Sequence, residues 1–171
     1  YINSDDGYLP GAFAAVTRYF ESHPDCEWLC GDTLLFGEGG PFRGLSVANV
    51  PKSAAHALSG AYTAAQPGMF WKRPLAQLGF DERWQYCFDH DLYVRLLLAS
   101  HTCEHLATPI AFYRHHGSSK TVAEGSLFDD EFGLIAAKYE DRLAGAQRRW
   151  SASTRLLRGS FAASKAGKPI D

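Results

Sequence analysis

The chain has 171 residues, of which 46% are hydrophobic and 21% charged, and its formal net charge is −2. This length and composition predict one globular domain with a substantial hydrophobic core. The nearly balanced charge gives no electrostatic reason to expect nucleic acid as a partner, and no apolar run approaches the roughly 20 residues of a membrane span.

The first residues predict a strand, an acidic turn and a helix. Tyr1-Ile2 has the character of the end of a buried strand, which Asp5-Asp6-Gly7 terminates. Pro10-Gly11 then begins a helix, because proline is well placed at a first helical position, and His23-Pro24 ends it. Since the pattern begins within a strand and Met69 is the single methionine, we expect the chain to be part of a longer protein.

The rest of the chain alternates strand and helix patterns. Residues 26–36 predict a strand with a kink at Gly31-Asp32, and residues 37–50 predict a loop because they hold four of the sixteen glycines. The further predicted elements are a helix over 52–60, a strand at 69–71, a short helix over 74–78, a helix over 88–100, strands near 103–107 and 109–114, a helix from about 126 to 148, and a C-terminal tail. This order predicts an α/β fold with helices packed on a mixed sheet.

The four cysteines are Cys26, Cys30, Cys87 and Cys103. They fit no zinc pattern, because the C-x3-C of the first pair has neither a partner pair nor trailing histidines. We therefore expect reduced, mostly buried thiols in a cytosolic protein.

Asp5 and Asp6 have two interpretations. Their carboxylates suit a hard divalent cation, and the end of a strand would bring them to the carboxyl edge of the sheet, where α/β proteins bind ligands. A metal there would neutralise phosphate. The alternative is a polar turn that precedes the next helix.

The stretch FDHDLYVR, residues 88–95, also has two interpretations. Asp89 lies at a helix start, and Asp91 and Arg95 form an i,i+4 pair. A carboxylate held in this way is expected to keep a low pKa and to stay ionised, as a general base for a sugar hydroxyl must be. The alternative is helix capping with a surface ion pair.

The stretch RHHGSSKT, residues 114–121, follows a predicted strand. Because neighbouring strand residues point to opposite faces, only one of His115 and His116 is expected to face a site. One histidine, a turn of small residues and Lys120 predict a loop that faces a diphosphate, and the alternative is a polar loop with an incidental histidine pair.

Taken together, three stretches resemble the C-terminal two-thirds of a family 2-type GT-A glycosyltransferase. YINSDDGYLPGAF resembles the acidic motif and the helix start of that family. QPGMFWKRPLAQLGFDERWQYCFDHDLYVRLLLAS resembles its acceptor-site block, and AFYRHHGSSKT its closing strand. The resemblance covers about residues 1–125. It implies a GT-A-like mixed sheet flanked by helices that lacks the N-terminal nucleotide-binding strands.

The resemblance implies roles for the donor side of the site. Asn3-Ser4-Asp5 matches the family's DxD motif, with Asn3 in place of the first aspartate. Asp5 and His116 would hold Mn²⁺ or Mg²⁺ on the donor diphosphate. The implied donor-binding residues are Asn3, Asp6, Ser119 and Lys120.

The resemblance also implies roles for the acceptor side. Asp89 matches the catalytic aspartate and would deprotonate the acceptor hydroxyl for inverting displacement. Phe88 stands where many members have glutamate, and Asp91 would partly replace that acidic contact. The implied acceptor-binding residues are Gln66, Phe70, Trp71, Asp91 and Arg95.

For the whole protein the resemblance implies an inverting transferase acting on a nucleotide-sugar donor. The acceptor would be a carbohydrate or a lipid-linked molecule in polysaccharide or glycolipid synthesis, for example of the cell envelope. Residues 1–125 would be the acceptor-side portion, and residues 126–171 a C-terminal helix and basic tail. Without the nucleotide-binding strands, we expect the isolated chain to bind donor weakly and to be inactive.

Two other functions fit the same residues. One is a metal-dependent nucleotidyltransferase or phosphohydrolase, although hydrolysis would need further clustered carboxylates for a second metal. The other is a non-catalytic carbohydrate-binding module, which the aromatic content favours. The basic residues Arg148-Arg149, Arg155 and Arg158 suggest either peripheral contact with the inner membrane from the cytoplasm or an exposed basic helix.

Overall fold

The computed structural model describes residues 1–117, 125–145 and 147–155. Within these residues the chain forms an open mixed sheet with helices packed against it. The strands are β1 (Gly7–Tyr8), β2 (Trp28–Phe36), β3 (Phe42–Ser46), β4 (Met69–Trp71) and β5 (Cys103–Arg114). Their order is β1-β5-β2-β3, and β4 shares the β3 edge of β2. Strands β2 and β5 are parallel, and the other pairs are antiparallel.

The named helical elements of the described chain are four α-helices and three 3₁₀ turns. The helices are α1 (Ala12–Ser22), α2 (Ala54–Ser59), α3 (Phe88–Leu98) and α4 (Gly125–Tyr139), and the 3₁₀ turns are Gln66–Gly68, Arg73–Leu78 and Glu140–Arg142. Residues 147–155 are also helical. None of the described helices has the length and apolar character needed to cross a membrane.

Strand β2 lies at the centre of the core because both of its faces are covered. Trp28, Leu29 and Cys30 have no exposed surface. Trp28 and Cys30 pack towards α3, whereas Leu29 packs towards α1 on the other face, as the alternation of side chains along a strand requires. A strand buried on both faces has a nearly continuous apolar sequence, and WLC is such a run.

Helix α4 belongs to the same folded body as the residues before it. Ile135 and Ala136 are buried in a cluster with Leu58 of α2 and Val94 of α3. The helix that the sequence predicts over about 126–148 is divided: α4 ends at Tyr139, a 3₁₀ turn follows, and residues 147–155 are helical again. The tail beyond residue 155 lies outside the described residues.

The predicted kink at Gly31-Asp32 is confirmed. The register of β2 against β5 shifts on both sides of Asp32. The buried Asp32 carboxylate accepts a hydrogen bond from the backbone of Ala48 at 2.9 Å and contacts His105 Nε2 at 2.7 Å, so it joins β5 to the segment after β3. Because the irregularity is absorbed as a bulge, β5 is one continuous strand and not the two predicted near 103–107 and 109–114.

Two other sequence predictions are wrong. Tyr1-Ile2 is not in a strand, since the chain turns at Ser4-Asp5 and the pairing with β5 begins only at Gly7. The acidic pair therefore precedes β1. Residues 37–50 are not wholly a loop, because β3 lies within them and pairs with β2 through Thr33 to Phe36.

Gly68 lies where the 3₁₀ turn Gln66–Gly68 packs tightly against strand β2. A Cβ at Gly68 would lie 2.5 Å from the carbonyl oxygen of Gly31, which is backbone and cannot move aside. We expect Gly68→Ala to lower the free energy of unfolding by about 1–3 kcal/mol. The matched control is Gly133→Ala in α4, where a Cβ meets nothing within 4 Å, and alanine is expected to stabilise the helix by up to about 1 kcal/mol. Urea unfolding curves that shift equally for both variants would contradict this.

Candidate active site

One cleft of about 910 Å³ lies at the carboxyl ends of the parallel strands β2 and β5. Leu35 and Tyr113 reach it from these strand ends, and the first residues of the chain and the start of α3 form its sides. The predicted site residues on its wall are Asn3, Asp5, Gln66, Asp89 and His116. The carboxyl edge of an α/β sheet is where such proteins bind ligands, and the volume suits a substrate of a few hundred daltons.

Asp5 and His116 meet on one side of this cleft. Asp5 Oδ2 lies 3.0 Å from His116 Nε2, although 110 residues separate them in the chain. Both side chains are partly buried and both line the cleft. The structure thus brings together the two residues that the resemblance implies as metal ligands.

Asp6 is not among the residues that line the cleft, and it stabilises the acidic turn instead. Its Oδ1 accepts a hydrogen bond from the backbone N–H of Arg114 at 3.1 Å, and Arg114 Nε donates to the carbonyl of Asp5. Burial raises the pKa of Asp6, and the neighbouring Asp5 charge adds to this, whereas the Arg114 N–H opposes it. Asp6 therefore holds the turn that carries Asp5 against the end of β5.

The prediction that only one of the two histidines faces the site is wrong, because both His115 and His116 line the cleft. Strand β5 ends at Arg114, so the alternation of a strand does not apply to the residues after it. The backbone N–H of His115 still donates to Phe36 at 2.8 Å, which holds this turn against the end of β2.

The chemistry of Asp5 and His116 fits a divalent metal that substrate completes. No group of three or more histidine, cysteine, aspartate or glutamate side chains suited to a metal occurs among the described residues. A carboxylate and an imidazole are both ligands of Mn²⁺-like ions. Mg²⁺-type sites commonly use one or two protein ligands and take the others from substrate phosphates and water.

Asp89 lies in the first turn of α3, on the wall of the cleft. Its Oδ1 accepts a hydrogen bond from the backbone N–H of His90 at 2.7 Å. The sequence predicts a low pKa, but burial raises the pKa of Asp89 to about 6, and hydrogen bonds from backbone N–H groups only partly oppose this. Such a carboxylate is still mostly ionised at pH 7, and it is a stronger base than an ordinary aspartate.

Asp91 and Arg95 lie away from the cleft, contrary to their predicted acceptor contacts. Two residues in a helix are about 200° apart, so Asp91 faces away from Asp89. Asp91 is fully buried. It accepts hydrogen bonds from four side chains at 2.7–3.0 Å, namely Trp84, Arg95, Lys138 and Tyr139. Arg95 also donates to the carbonyls of Leu78 and Gly79. The ion pair is therefore internal.

Phe70 and Trp71 are likewise placed outside the cleft. Strand β4 pairs with the first residues of β2, so it lies far from the carboxyl edge. Phe70 packs against Tyr8, with ring centroids 5.2 Å apart, and Trp71 packs on the core beside α3. Gln66 does line the cleft, and its Nε2 donates to the carbonyl of Tyr1 at 2.7 Å.

The cleft has an aromatic wall that the sequence reasoning missed. Its rings are those of Tyr1, Tyr62, Tyr86, Phe88, Tyr113, Phe128 and Phe132. Tyr1 contacts Phe88 edge-on at 5.8 Å. Burial and the charges of Asp89, Asp6 and Asp5 raise the pKa of Tyr1 to about 12, so this ring senses carboxylates on both sides of the cleft. The i,i+4 spacing of Phe128 and Phe132 was the available signal, but it equally predicts a core face.

The remaining predicted residues are not among the described residues that line the cleft. Ser119, Lys120 and Arg158 lie outside the described residues. Arg148 pairs with Asp141 at 3.1 Å, and Arg155 pairs with Glu140 and donates to Leu58, so these two arginines serve contacts within the fold. The four cysteines are buried and free.

Comparison with known proteins does not identify a family. No protein-family model matches the chain, and no curated protein is significantly similar to it. Its function must therefore be inferred from the cleft.

Proposed function

We propose that this chain is the acceptor-side portion of an inverting GT-A-like glycosyltransferase. The observation that carries the proposal is the composition of the cleft described above. It combines the Asp5–His116 pair on one side with Asp89, a carboxylate of raised pKa, at the start of α3. Transfer from a nucleotide-diphosphate sugar requires a site for the diphosphate and a base for the acceptor hydroxyl.

The donor side is assigned to Asp5 and His116. A divalent cation bound there would neutralise the negative charge that develops on the leaving diphosphate. Asp6 and Arg114 hold the acidic turn on the end of β5, so the position of Asp5 is tied to a rigid strand. Gln66 fixes the segment before that turn through its bond to Tyr1.

The acceptor side is assigned to Asp89 and the aromatic wall around it. The carboxylate would accept the proton of the acceptor hydroxyl as that oxygen attacks the anomeric carbon. Attack from the face opposite the diphosphate inverts the anomeric configuration. The rings of Phe88, Phe128 and Phe132 line the same cleft and would present the flat apolar surface on which a sugar ring stacks.

The test uses the natural full-length protein with Mn²⁺, a panel of UDP-, GDP- and dTDP-sugars, and carbohydrate and lipid-linked hydroxyl acceptors. We expect release of a nucleoside diphosphate that depends on the acceptor, and a product of inverted configuration by NMR. Release of a sugar 1-phosphate, with the nucleoside monophosphate transferred to the acceptor, would instead identify a nucleotidyltransferase. Sugar binding without any donor consumption would identify a binding module, and either result would overturn the proposal.

His116→Ala is expected to weaken binding of Mn²⁺ by at least the roughly 10- to 100-fold that follows loss of a supporting partner around a metal. The physical reason is that the metal would lose one of its two protein ligands. Titration calorimetry of Mn²⁺ in the presence of nucleoside diphosphate measures this. His105→Ala is the matched control, because His105 contacts Asp32 away from the cleft lining. Equal effects of the two substitutions would remove His116 from the proposed metal site.

A further inference from the structure

The carboxylate of Glu131 in α4 binds the backbone immediately before α3. Its Oε1 accepts from the N–H of Gln85, and its Oε2 accepts from the N–H groups of Tyr86 and Cys87, each at 2.8 Å. Cys87 is the residue that precedes the helix, and its own side chain makes no capping bond. Glu131 thus supplies from a distant helix the acceptors for the backbone N–H groups that lead into α3, including that of Cys87 at the helix start.

Two neighbouring residues of α4 extend this contact. The ring of Phe128 lies 5.2 Å from that of Tyr86, and the Phe128 carbonyl accepts from the Cys87 thiol at 3.5 Å. One turn further along, Phe132 stacks on His90 with ring centroids 4.2 Å apart. Helix α4 therefore contacts the chain just before Asp89, at Tyr86 and Cys87, and just after it, at His90.

We infer that Glu131 is a positioning residue for Asp89, an inference that rests on the proposed function. Hydrogen bonds from backbone N–H groups to a carboxylate are stronger than those between neutral groups. Three of them fix residues 85–87 and thereby the direction in which the first turn of α3 leaves. Asp89 is two residues beyond the last of these bonds, so a change at Glu131 moves the base relative to the reacting hydroxyl.

The test is Glu131→Gln in the full-length protein. Glutamine keeps the size of the side chain but has one acceptor oxygen, and its NH₂ group opposes a backbone N–H. We expect kcat for sugar transfer to fall by about 100-fold, the effect of a misplacement of about 1 Å. The KM for the nucleotide-sugar donor should stay within about twofold, since Asp5 and His116 are not touched. Glu131→Asp, which keeps two acceptor oxygens, is expected to recover part of kcat.

Two control variants separate positioning from stability. Asp130→Asn removes one charge from an exposed position of the same helix and should leave kcat unchanged. Ile135→Val weakens the packing of a fully buried α4 residue but keeps the three hydrogen bonds to Glu131, so it should lower the melting temperature but not kcat. If Ile135→Val lowers kcat as much as Glu131→Gln does, the role of Glu131 is structural only and the inference is overturned.

Two further measurements do not depend on activity. Amide hydrogen exchange at residues 85–87 should accelerate by at least about 10-fold in Glu131→Gln, because three bonds are weakened. Among the described residues, the charge of Asp89 contributes to the raised pKa of Tyr1, Cys87 and Tyr93, and these three side chains stay neutral near pH 6. As water enters the loosened turn, carboxyl NMR should therefore show the pKa of Asp89 falling from about 6 towards its ordinary 3.8.

These measurements keep the two hypotheses apart. Absence of sugar transfer by the wild-type protein would overturn the proposed function. Unchanged exchange at residues 85–87 together with an unchanged titration of Asp89 would overturn the positioning role of Glu131, whatever reaction the cleft performs.

Discussion

Replacing Asp89 by asparagine is expected to lower kcat for sugar transfer by about 10²- to 10⁴-fold, the usual contribution of a positioned general base. The amide has nearly the shape of the carboxylate but cannot accept the proton of the acceptor hydroxyl. Binding of the nucleotide-sugar donor, measured by calorimetry with Mn²⁺, should not change, because the donor is assigned to the other side of the cleft. Unchanged transfer would remove Asp89 from the catalytic role.

The pH dependence of the wild-type protein provides a second readout for Asp89. Burial raises the pKa of this carboxyl to about 6, so kcat should fall below about pH 6 as the base becomes protonated. This acidic limb should be absent from the residual activity of Asp89→Asn.

Stability distinguishes the base from the alternative interpretation of Asp89 as a helix cap. A carboxyl whose pKa is raised on folding favours the folded state below its unfolded pKa near 3.8, and this contribution is lost as the pH rises through about 6. Asp89→Asn should therefore be at least as stable as the wild type at pH 7–8. A capping role predicts the opposite, a loss of about 1 kcal/mol, and urea unfolding at pH 7.5 decides between the two.

The elements of the fold were predictable where local signals are strong. Helix α1 begins after Pro10-Gly11 and ends before His23-Pro24. Both limits were predictable because proline and glycine restrict or free their own backbone. The kink at Gly31-Asp32 was predictable from the same kind of signal. Strand β3 was not, because the four glycines of residues 37–50 favour a loop, and the strand forms through its pairing with β2. A pairing between segments is a tertiary interaction that no local pattern contains.

The site was predictable in its members but not in its environment. The resemblance named Asp5, His116 and Asp89, and the structure places all three on one cleft. The raised pKa of Asp89 results from burial in the folded chain, so the local helix-start pattern predicted the wrong direction. The cap from Glu131 joins residues 44–46 positions apart and has no local signal.

The position of Asp91 was predictable, because helical periodicity alone places it opposite Asp89. The resemblance instead led to an acceptor contact for Asp91, on the argument that it compensates for Phe88. The structure assigns the two acidic residues of FDHD to opposite faces: Asp89 to the cleft and Asp91 to the packing of α3 against α4. Their substitutions should consequently differ in kind.

Replacing Asp91 by alanine is expected to lower the free energy of unfolding by about 3–5 kcal/mol, the typical effect of removing one partner from a buried ion pair. The variant leaves the indole N–H of Trp84 and the hydroxyl of Tyr139 without their acceptor, and Lys138 and Arg95 without their buried counter-charge. This is a large share of the roughly 5–15 kcal/mol that stabilise a domain. Urea unfolding at pH 7 measures the loss.

The contribution of Asp91 has a definite pH dependence. Burial alone would raise the pKa of its carboxyl, but hydrogen bonds from Lys138, Tyr139 and Arg95 outweigh burial and lower it below the ordinary 3.8. A carboxyl with a lowered pKa stabilises the folded state above the unfolded pKa, and this stabilisation is lost as the pH falls through the folded value. The stability difference between wild type and Asp91→Ala should therefore be constant from pH 5 to 8 and shrink below about pH 4.

Two substitutions test whether charge or hydrogen bonding dominates at Asp91. Asp91→Asn keeps one acceptor oxygen for Trp84 and Tyr139 but loses the charge and the oxygen that faces Arg95, so it should be less destabilising than Asp91→Ala. Asp130→Ala removes an exposed carboxylate from α4 and should change stability by less than about 0.5 kcal/mol. If Asp91→Ala is as mild as Asp130→Ala, the buried network does not join α3 to α4. Asp91 would then have no established role, because it lies on the face of α3 that points away from the cleft.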